Sequence, residues 1–315
     1  MLPITGVFAG GGVKGVALAG AAAGTLDAGC RFEHVVGTSS GALVASLVAA
    51  GYGPDDLRRV ITEVAWREMF TPLSWRRVPV VGKGLSILVS RAQYDADRLE
   101  ATWERLLAAK GIRTFGDIEG CRLRVVTTDL THQTGVVLPD QLAEYGHEPD
   151  HFSVARAVRM SAAVPFFVRP VRLADPRDGE VSEFVDGALT SNFPLIVGRW
   201  SEVRPLVGFR FREELPRPSM TFRGPASMAR GVVTASIAAA DAIRTPDEQQ
   251  GTIIVKIPLG GDPLDFELSH RRAGQMFDVG RQAAMEAMPE VVAEAGRRGD
   301  TPSIMPLPAP VSEAG

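Results

Sequence analysis

The most informative stretch of this sequence is Val35-Val36-Gly37-Thr38-Ser39-Ser40-Gly41, which is followed by the alanine-rich run 42–50. An apolar run, a glycine-flanked turn and a helical run predict a strand that passes through a sharp turn into a helix. A serine at such a turn is exposed and strained, and it lies beside free backbone amides that can bind an oxyanion. Ser39 is therefore a candidate nucleophile. The alternative is that Ser39 or Ser40 only caps the helix.

A second glycine cluster, Gly10-Gly11-Gly12-Val13-Lys14-Gly15, follows the strand-like run 4–9 and precedes the helical run 16–23. A strand that ends in three glycines and enters a helix points several backbone amides at one small volume. The positive end of the helix dipole lies behind them. Such a nest binds negative charge, so it can hold a phosphate or the oxyanion that forms when an ester carbonyl is attacked.

The same six residues also fit G-x-G-x-x-G, the dinucleotide fingerprint, and Glu33 lies at a suitable distance to hold a ribose hydroxyl. This alternative predicts a nucleotide-dependent oxidoreductase. The ribose-binding acid belongs at the end of the second strand, however, and the turn at Ser39 occupies that place. An acyl hydrolase needs a nest and a serine turn side by side, so the two motifs together favour a hydrolase.

The third motif is Asp186-Gly187-Ala188, which follows the alternating run 181–185 and precedes the turn signal Asn192-Phe193-Pro194. An aspartate at a strand end beside a glycine can approach another backbone closely and accept a proton from a hydroxyl. The alternative is an ordinary Asp-Gly turn.

Together the three motifs resemble those of the patatin-like phospholipase family in type, order and spacing. That family has G-G-G-x-[KR]-G, here at 10–15, then G-x-S-x-G at 37–41, then D-G-[GA] at 186–188. Weaker similarity is found in 124–130 and 160–167, and the resemblance covers roughly residues 4–212.

The resemblance implies a Ser–Asp dyad, with Ser39 as nucleophile and Asp186 as base. It also implies an oxyanion hole made by the backbone amides of Gly11 and Gly12, with Gly10 as a further donor. Supporting positions are expected at the following residues: Lys14, Gly15, Gly37, Gly41 and Gly187. Lys14 has two interpretations, a solvent-facing helix residue or a cation that supports the nest.

The implied reaction is hydrolysis of acyl esters of phospholipids or lysophospholipids through an acyl-enzyme, with no cofactor. A hydrolase of soluble esters or thioesters is also compatible with these motifs, and so is an inactive binding module. A Ser-Asp-His triad in chain order needs a late histidine, and only His270 follows Asp186. Its polar surroundings indicate a surface residue. The chain has no H-x-x-x-H or C-x-x-C pattern, so no catalytic metal is predicted.

The composition is that of an ordinary globular protein, with 315 residues, 45% hydrophobic, 23% charged and a net charge of −3. Strand-like runs interleave with helical runs, which predicts an α/β fold with a mainly parallel central sheet and helices on both faces. The motifs should meet at the carboxyl ends of the strands. We expect one catalytic domain over 1–300, in which 213–300 has no assigned role, and a flexible tail over 301–315.

Cys30 and Cys121 are isolated, which favours the cytoplasm. No run is long and apolar enough for a membrane-spanning helix. The region 66–91 combines aromatic residues, arginines and glycines, so we expect transient contact with the inner membrane face. Within it, Trp66 and Phe70 fit a buried subdomain and 75–85 fits a flap. No nucleic-acid partner is predicted, and the sequence leaves the oligomeric state open.

Overall fold

The structure is a computed structural model that describes residues 1–73, 92–212, 221, 224–244, 251–260 and 270–297. The strands are β1 (Leu2–Phe8), β2 (Cys30–Thr38), β3 (Thr71–Pro72), β4 (Tyr94–Asp95), β5 (Arg122–Asp129), β6 (Thr134–Leu138), β7 (Val171–Ala174), β8 (Val181–Asp186), β9 (Leu206–Phe211) and β10 (Thr252–Ile257). The helices are α1 (Gly15–Asp27), α2 (Ser40–Ala49), α3 (Pro54–Glu63), α4 (Asp97–Ala108), α5 (Val154–Ser161), α6 (Ala188–Ser191), α7 (Leu195–Gly198), α8 (Pro225–Arg244) and α9 (His270–Arg297).

The central sheet is mixed and mostly parallel, in the strand order β10-β9-β1-β2-β5-β8-β7 with β6 paired to β5. The strands from β10 to β5 are parallel to one another. β8 runs antiparallel to β5, and β6 and β7 are antiparallel to their neighbours. This arrangement confirms the predicted fold class of a mainly parallel sheet flanked by helices.

Successive residues of the central strands alternate between two cores, because side chains in a strand point to opposite faces. Phe8 and Val35 belong to the larger core, which also holds apolar side chains of α1 to α5 and α9. Val7 and Val36 belong to a smaller core that is covered by residues 193–197. The alternation therefore places helical layers on the two faces of the sheet.

The two helices that follow the glycine motifs are buried along almost their whole length. α1 and α2 carry only alanine, glycine and aliphatic residues apart from a few hydroxyls and a final Asp27, and nearly all of them are shielded from solvent. A helix that is apolar on all sides packs only in the interior. The turns that begin these helices are consequently held by rigid packing.

The segment after residue 212 packs into the same sheet and core. β10 pairs with β9, and α9 crosses α1 so closely that a Cβ at Gly20 would lie 1.9 Å from the carbonyl oxygen of Phe277. A Cβ at Gly280 would likewise lie 1.8 Å from the carbonyl oxygen of Ala17. Glycines let the two backbones touch, and α9 thereby braces the helix that starts at the glycine nest.

The strand-like runs 4–9, 35–36 and 181–185 correspond to β1, β2 and β8, and the helical runs 16–23 and 42–50 correspond to α1 and α2. The short strands β3, β4 and β7 were not predicted. The region 66–91 is described only in part. Trp66 is buried against Trp103, and Phe70 packs edge-on against Phe167. These contacts agree with the expectation that Trp66 and Phe70 belong to a buried subdomain. The predicted flap over 75–85 lies outside the described residues, as does the predicted tail over 301–315. Every helix in the described ranges is too short or too polar to span a bilayer.

Candidate active site

Ser39 occupies a sharp turn between β2 and α2. Its backbone has φ 55° and ψ −124°, a conformation that side-chain-bearing residues rarely adopt, and only 6% of the residue is exposed. The glycines on both sides are required by close packing. A Cβ at Gly37 would lie 2.3 Å from the carbonyl oxygen of Gly41, and a Cβ at Gly41 would lie 2.3 Å from that of Phe8. The turn is therefore tight, strained and specified by its glycines.

Asp186 lies next to this turn. The hydroxyl of Ser39 donates a hydrogen bond of 2.6 Å to Oδ2 of Asp186, and the amide of Ala188 donates one of 2.8 Å to Oδ1. The next residue is glycine because a Cβ at Gly187 would lie 2.2 Å from the carbonyl oxygen of Val126. The two sequence motifs, 147 residues apart, thus share one hydrogen bond.

Asp186 reaches the site from an unexpected direction. The parallel pattern predicts strands that arrive side by side, but β8 is antiparallel to β5 and overlaps it only through its last three residues. Asp186 therefore pairs with Thr127, while Thr38 at the end of β2 pairs with Val126. The first half of β8 extends beyond the carboxyl end of β5, and β8 runs back toward the sheet. Its last residue, Asp186, therefore lies near the carboxyl ends of β2 and β5.

Burial gives Asp186 unusual basicity. Desolvation raises the pKa of its carboxyl to about 6, against the opposing effect of the hydrogen bonds from Ser39 and the Ala188 amide. Among the described residues, no positively charged side chain forms an ion pair with it. A carboxylate with a pKa near neutrality can accept a proton from a hydroxyl more readily than an ordinary aspartate can.

The glycine nest lies against Ser39. A Cβ at Gly10 would lie 3.3 Å from the Cβ of Ser39, and the Gly10 amide donates a hydrogen bond of 2.9 Å to the carbonyl oxygen of Asn192. In the described part of the chain, the amides of Gly11 and Gly12 meet no acceptor. These two amides remain available to a ligand at the N-terminal end of α1.

Lys14 and Gly15, which follow the nest, make different contacts. The Nζ atom of Lys14 lies 4.7 Å from the ring centroid of Phe211, so the lysine stands over an aromatic face. A Cβ at Gly15 would lie 2.7 Å from the Cβ of Ser40. Gly15 therefore allows the first turn of α1 to pack directly on the first turn of α2, which brings the nest close to the serine turn.

Sequence reasoning missed two contributors to the site. Ser161, at the end of α5, accepts a hydrogen bond of 2.8 Å from the Ser39 amide and donates one of 2.6 Å to the carbonyl oxygen of Val126. Asn192 accepts from the Gly10 amide through its backbone carbonyl. Both residues lie in segments that the sequence marks by small residues and by proline, but no spacing rule connects them with Ser39.

Comparison with known proteins shows the family of this chain. The family model described as Patatin-like phospholipase matches residues 6–197, more than half of the chain. The uncharacterized protein YqhO of Bacillus subtilis (strain 168) is 36% identical over 286 residues, which cover 89% of this chain and 96% of YqhO. The chain belongs to the patatin-like phospholipase family. The family supports lipid hydrolase activity, and the resemblance deduced from the motifs is confirmed.

The chain is also similar to other proteins at lower identity. The cUMP-AMP-activated phospholipase of Escherichia coli is 29% identical over 172 residues, which cover 53% of this chain and 47% of that protein. Among solved structures, VipD from Legionella pneumophila is 15% identical with a TM-score of 0.46, over 92% of this chain and 67% of VipD.

The other titratable candidates from the sequence lie on β2 and at the start of α9. Glu33 is in the first half of β2, so it does not lie at the carboxyl end of the strand where a ribose-binding acid belongs. Its side chain forms an ion pair with Arg31. His270 begins α9. His34 lies beside Arg122 in the strand pairing, and burial together with the neighbouring arginines lowers its pKa. The described residues contain no group of three metal-binding side chains.

Proposed function

We propose that the protein is a serine acyl hydrolase that cleaves acyl esters of phospholipids or lysophospholipids through an acyl-enzyme. The observation that carries this proposal is the hydrogen bond of 2.6 Å between the Ser39 hydroxyl and the buried carboxylate of Asp186. A nucleophile and a base within hydrogen-bond reach define the minimum machinery for covalent ester hydrolysis.

In the acylation step, Ser39 Oγ attacks the ester carbonyl carbon while Asp186 takes the hydroxyl proton. The negative charge that develops on the carbonyl oxygen is bound by the amides of Gly11 and Gly12. Gly10 is omitted as a donor because its amide already donates to Asn192. Each donor of this kind is worth about 3–4 kcal/mol in the transition state.

Asp186 then gives the proton to the leaving alkoxide, which departs as the alcohol. In the deacylation step Asp186 accepts a proton from water, which attacks the acyl-Ser39 ester. The fatty acid is released and the proton returns to Ser39 Oγ. The same carboxyl thus alternates between base and acid, which its pKa of about 6 allows near neutral pH.

We also propose that the enzyme works in the cytoplasm at a lipid surface, through the aromatic and basic segment 75–85. Trp66 is buried and is left out of this surface. Trp75→Ala is expected to slow hydrolysis of vesicle phospholipid more than hydrolysis of a soluble short-chain ester. An equal loss on the two substrates would contradict membrane contact and favour a soluble esterase.

The test of the proposed function is labelling by a fluorophosphonate probe, which reacts covalently with activated serines. Wild type should be labelled, Ser39→Ala should not, and Asp186→Asn should be labelled far more slowly. Ser46→Ala is the matched control, because Ser46 is another buried serine, in α2, whose hydroxyl donates to the carbonyl oxygen of Leu43 and not to Asp186.

Hydrolysis is measured in parallel on vesicles of phosphatidylethanolamine and phosphatidylglycerol, with mass spectrometry of the released lipids. Because the Escherichia coli relative is named as activated by cUMP-AMP, each assay is run with and without that nucleotide. If wild type is neither labelled nor active in either arm, the proposed function is wrong. Labelling of Ser39→Ala would also contradict it.

A further inference from the structure

The end of α5 and the residues that follow it contact both Ser39 and Asp186. Ser161 accepts a hydrogen bond from the backbone amide of Ser39, and the carbonyl oxygen of Ala163 accepts one of 2.9 Å from the backbone amide of Asp186. Ser161 is completely buried, and its own proton goes to the carbonyl oxygen of Val126. The segment 161–163 therefore bridges the Ser39 turn, β5 and β8 at the edge where the proposed catalytic groups meet.

The contact with Ser39 acts on a strained backbone. At φ 55° a serine is held away from its favoured conformations, so surrounding contacts must hold it in place. The amide of Ser39 is buried inside the turn, and the hydroxyl of Ser161 is its acceptor. Loss of that hydroxyl would leave the amide unsatisfied and would remove one restraint on the direction of the Ser39 side chain.

The same contact bears on the oxyanion hole. The amide of Ser39 is already engaged by Ser161, so it cannot point at the developing oxyanion. The amides of Gly11 and Gly12 in the glycine nest meet no acceptor in the described part of the chain, so they are candidate donors to the oxyanion. The Ser39 amide thus holds the serine turn in position through Ser161. The amides of Gly11 and Gly12 are left to bind the negative charge.

We propose that Ser161 is a positioning residue of the hydrolytic reaction, which fixes the Ser39 backbone while Ala163 fixes that of Asp186. This inference rests on the proposed function, because it assigns a task within the same dyad. Ser161 itself touches neither the substrate nor the transferred proton. Its effect is exerted through the distance and direction between Ser39 Oγ, Asp186 and the nest.

Ser46 provides a matched comparison for a purely structural role. It is also completely buried, donates 2.8 Å to the carbonyl oxygen of Leu43 and accepts 3.2 Å from Nε1 of Trp103. It therefore has the same hydrogen-bond inventory as Ser161 without a contact to Ser39. Removal of either hydroxyl should lower the melting temperature, and only removal of the Ser161 hydroxyl should slow the chemistry.

The experiment measures fluorophosphonate labelling rate, kcat and KM for wild type, Ser161→Ala, Ser161→Cys and Ser46→Ala, each per folded molecule. A 1 Å displacement of a reacting group costs about 100-fold in rate, so we expect kcat of Ser161→Ala to fall by about 10- to 100-fold with unchanged KM. Ser161→Cys keeps the side-chain shape and fills the site, but its sulfur is a weak acceptor, so its rate should remain low. This variant tests the proposal if the alanine variant does not fold.

The pH midpoint of the rate should not fall in these variants, because the burial that raises the pKa of Asp186 is unchanged and a weaker hydrogen bond from Ser39, which lowers that pKa, can only raise it. Wild-type rates in Ser161→Ala, or a full recovery in Ser161→Cys, would overturn the positioning role while the proposed function stands. Absence of labelling and hydrolysis in wild type would instead overturn the proposed function, and this inference with it.

Discussion

Asp129 and Asp186 are two buried aspartates at the ends of neighbouring strands, and they have opposite electrostatics. Asp129, at the end of β5, is completely shielded and accepts four hydrogen bonds, from the Thr131 amide, the His132 amide, His132 Nδ1 and the Tyr145 hydroxyl. Asp186, at the end of β8, accepts two, from the Ser39 hydroxyl and the Ala188 amide.

The number and kind of donors decide the basicity of each carboxyl. Burial acts to raise the pKa of Asp129, but the hydrogen bonds from His132, Tyr145 and the amides outweigh it and lower the pKa. Burial dominates at Asp186 and raises its pKa to about 6. A buried aspartate that is fully paired stabilises a turn, whereas one that is short of donors remains able to take a proton.

The largest expected effect is the loss of activity in Asp186→Asn. An amide in place of the carboxylate cannot accept the Ser39 proton, so kcat/KM should fall by at least about 1000-fold. Asp129→Asn should retain a much larger share of the activity, since Asp129 does not contact Ser39. The two variants are compared by ester hydrolysis under identical conditions. Similar losses of kcat/KM would contradict the proposal that only Asp186 acts as the base.

The next effect is a pH dependence set by Asp186. Its carboxylate must be ionised to act as base, so kcat/KM should be constant above the pKa of about 6 and fall about tenfold per pH unit below it. Asp129→Asn should keep this midpoint. A profile measured on a soluble ester checks the prediction, and a midpoint near 4 would show that burial does not raise the pKa of Asp186.

Asp186→Asn should also make the folded protein more stable. The folded pKa of about 6 lies above the ordinary value of 3.8, so the folded state binds more protons between these values and loses stability as pH rises through that window. The shift corresponds to about 3 kcal/mol at pH 7. Urea unfolding should show a gain for the variant that is larger at pH 8 than at pH 5. No gain at pH 8 would contradict the unfavourable burial of this carboxylate.

Asp129→Asn should have the opposite sign. Its donors would lose a charged acceptor, which costs about 1–3 kcal/mol in the free energy of unfolding. Because the pKa of Asp129 is lowered, its contribution is present above the unfolded pKa and is lost as pH falls through the folded pKa. Urea unfolding of Asp129→Asn over the same pH range tests this loss of stability. A stabilised Asp129→Asn variant would contradict the conclusion that the Asp129 carboxylate stabilises the fold.

The smallest effect is expected for His132→Ala. The hydrogen bond to Asp129 raises the pKa of His132, whose ring is about half exposed. A raised folded pKa gives stability that is complete below the unfolded pKa and is lost as pH rises through the folded pKa. The variant should therefore lower the melting temperature slightly at pH 6 and less at pH 9. A larger deficit at pH 9 would contradict this sign.

Local sequence signals predicted much of the fold, because apolar alternation and glycine turns act over a few residues. The runs around Ser39 and the glycine cluster predicted β1, α1, β2 and α2 together with the two turns that lead from strand to helix. The run before Asp186 predicted β8 as a strand. Its antiparallel direction was not predicted, since strand direction depends on how distant segments pair and leaves no mark on the alternation.

The sequence by itself determined the family, the α/β class and the candidate residues Ser39 and Asp186, because glycine-flanked turns restrict the residue types that can occupy them. Only the tertiary structure decided three further points: the hydrogen bond between those residues, the engagement of the Gly10 amide by Asn192, and the contact of Ser161 with the Ser39 amide. Each joins groups more than 100 positions apart in the chain. Such distances are set by packing of the whole core, and burial in that core gives Asp186 the basicity that its residue type alone does not have.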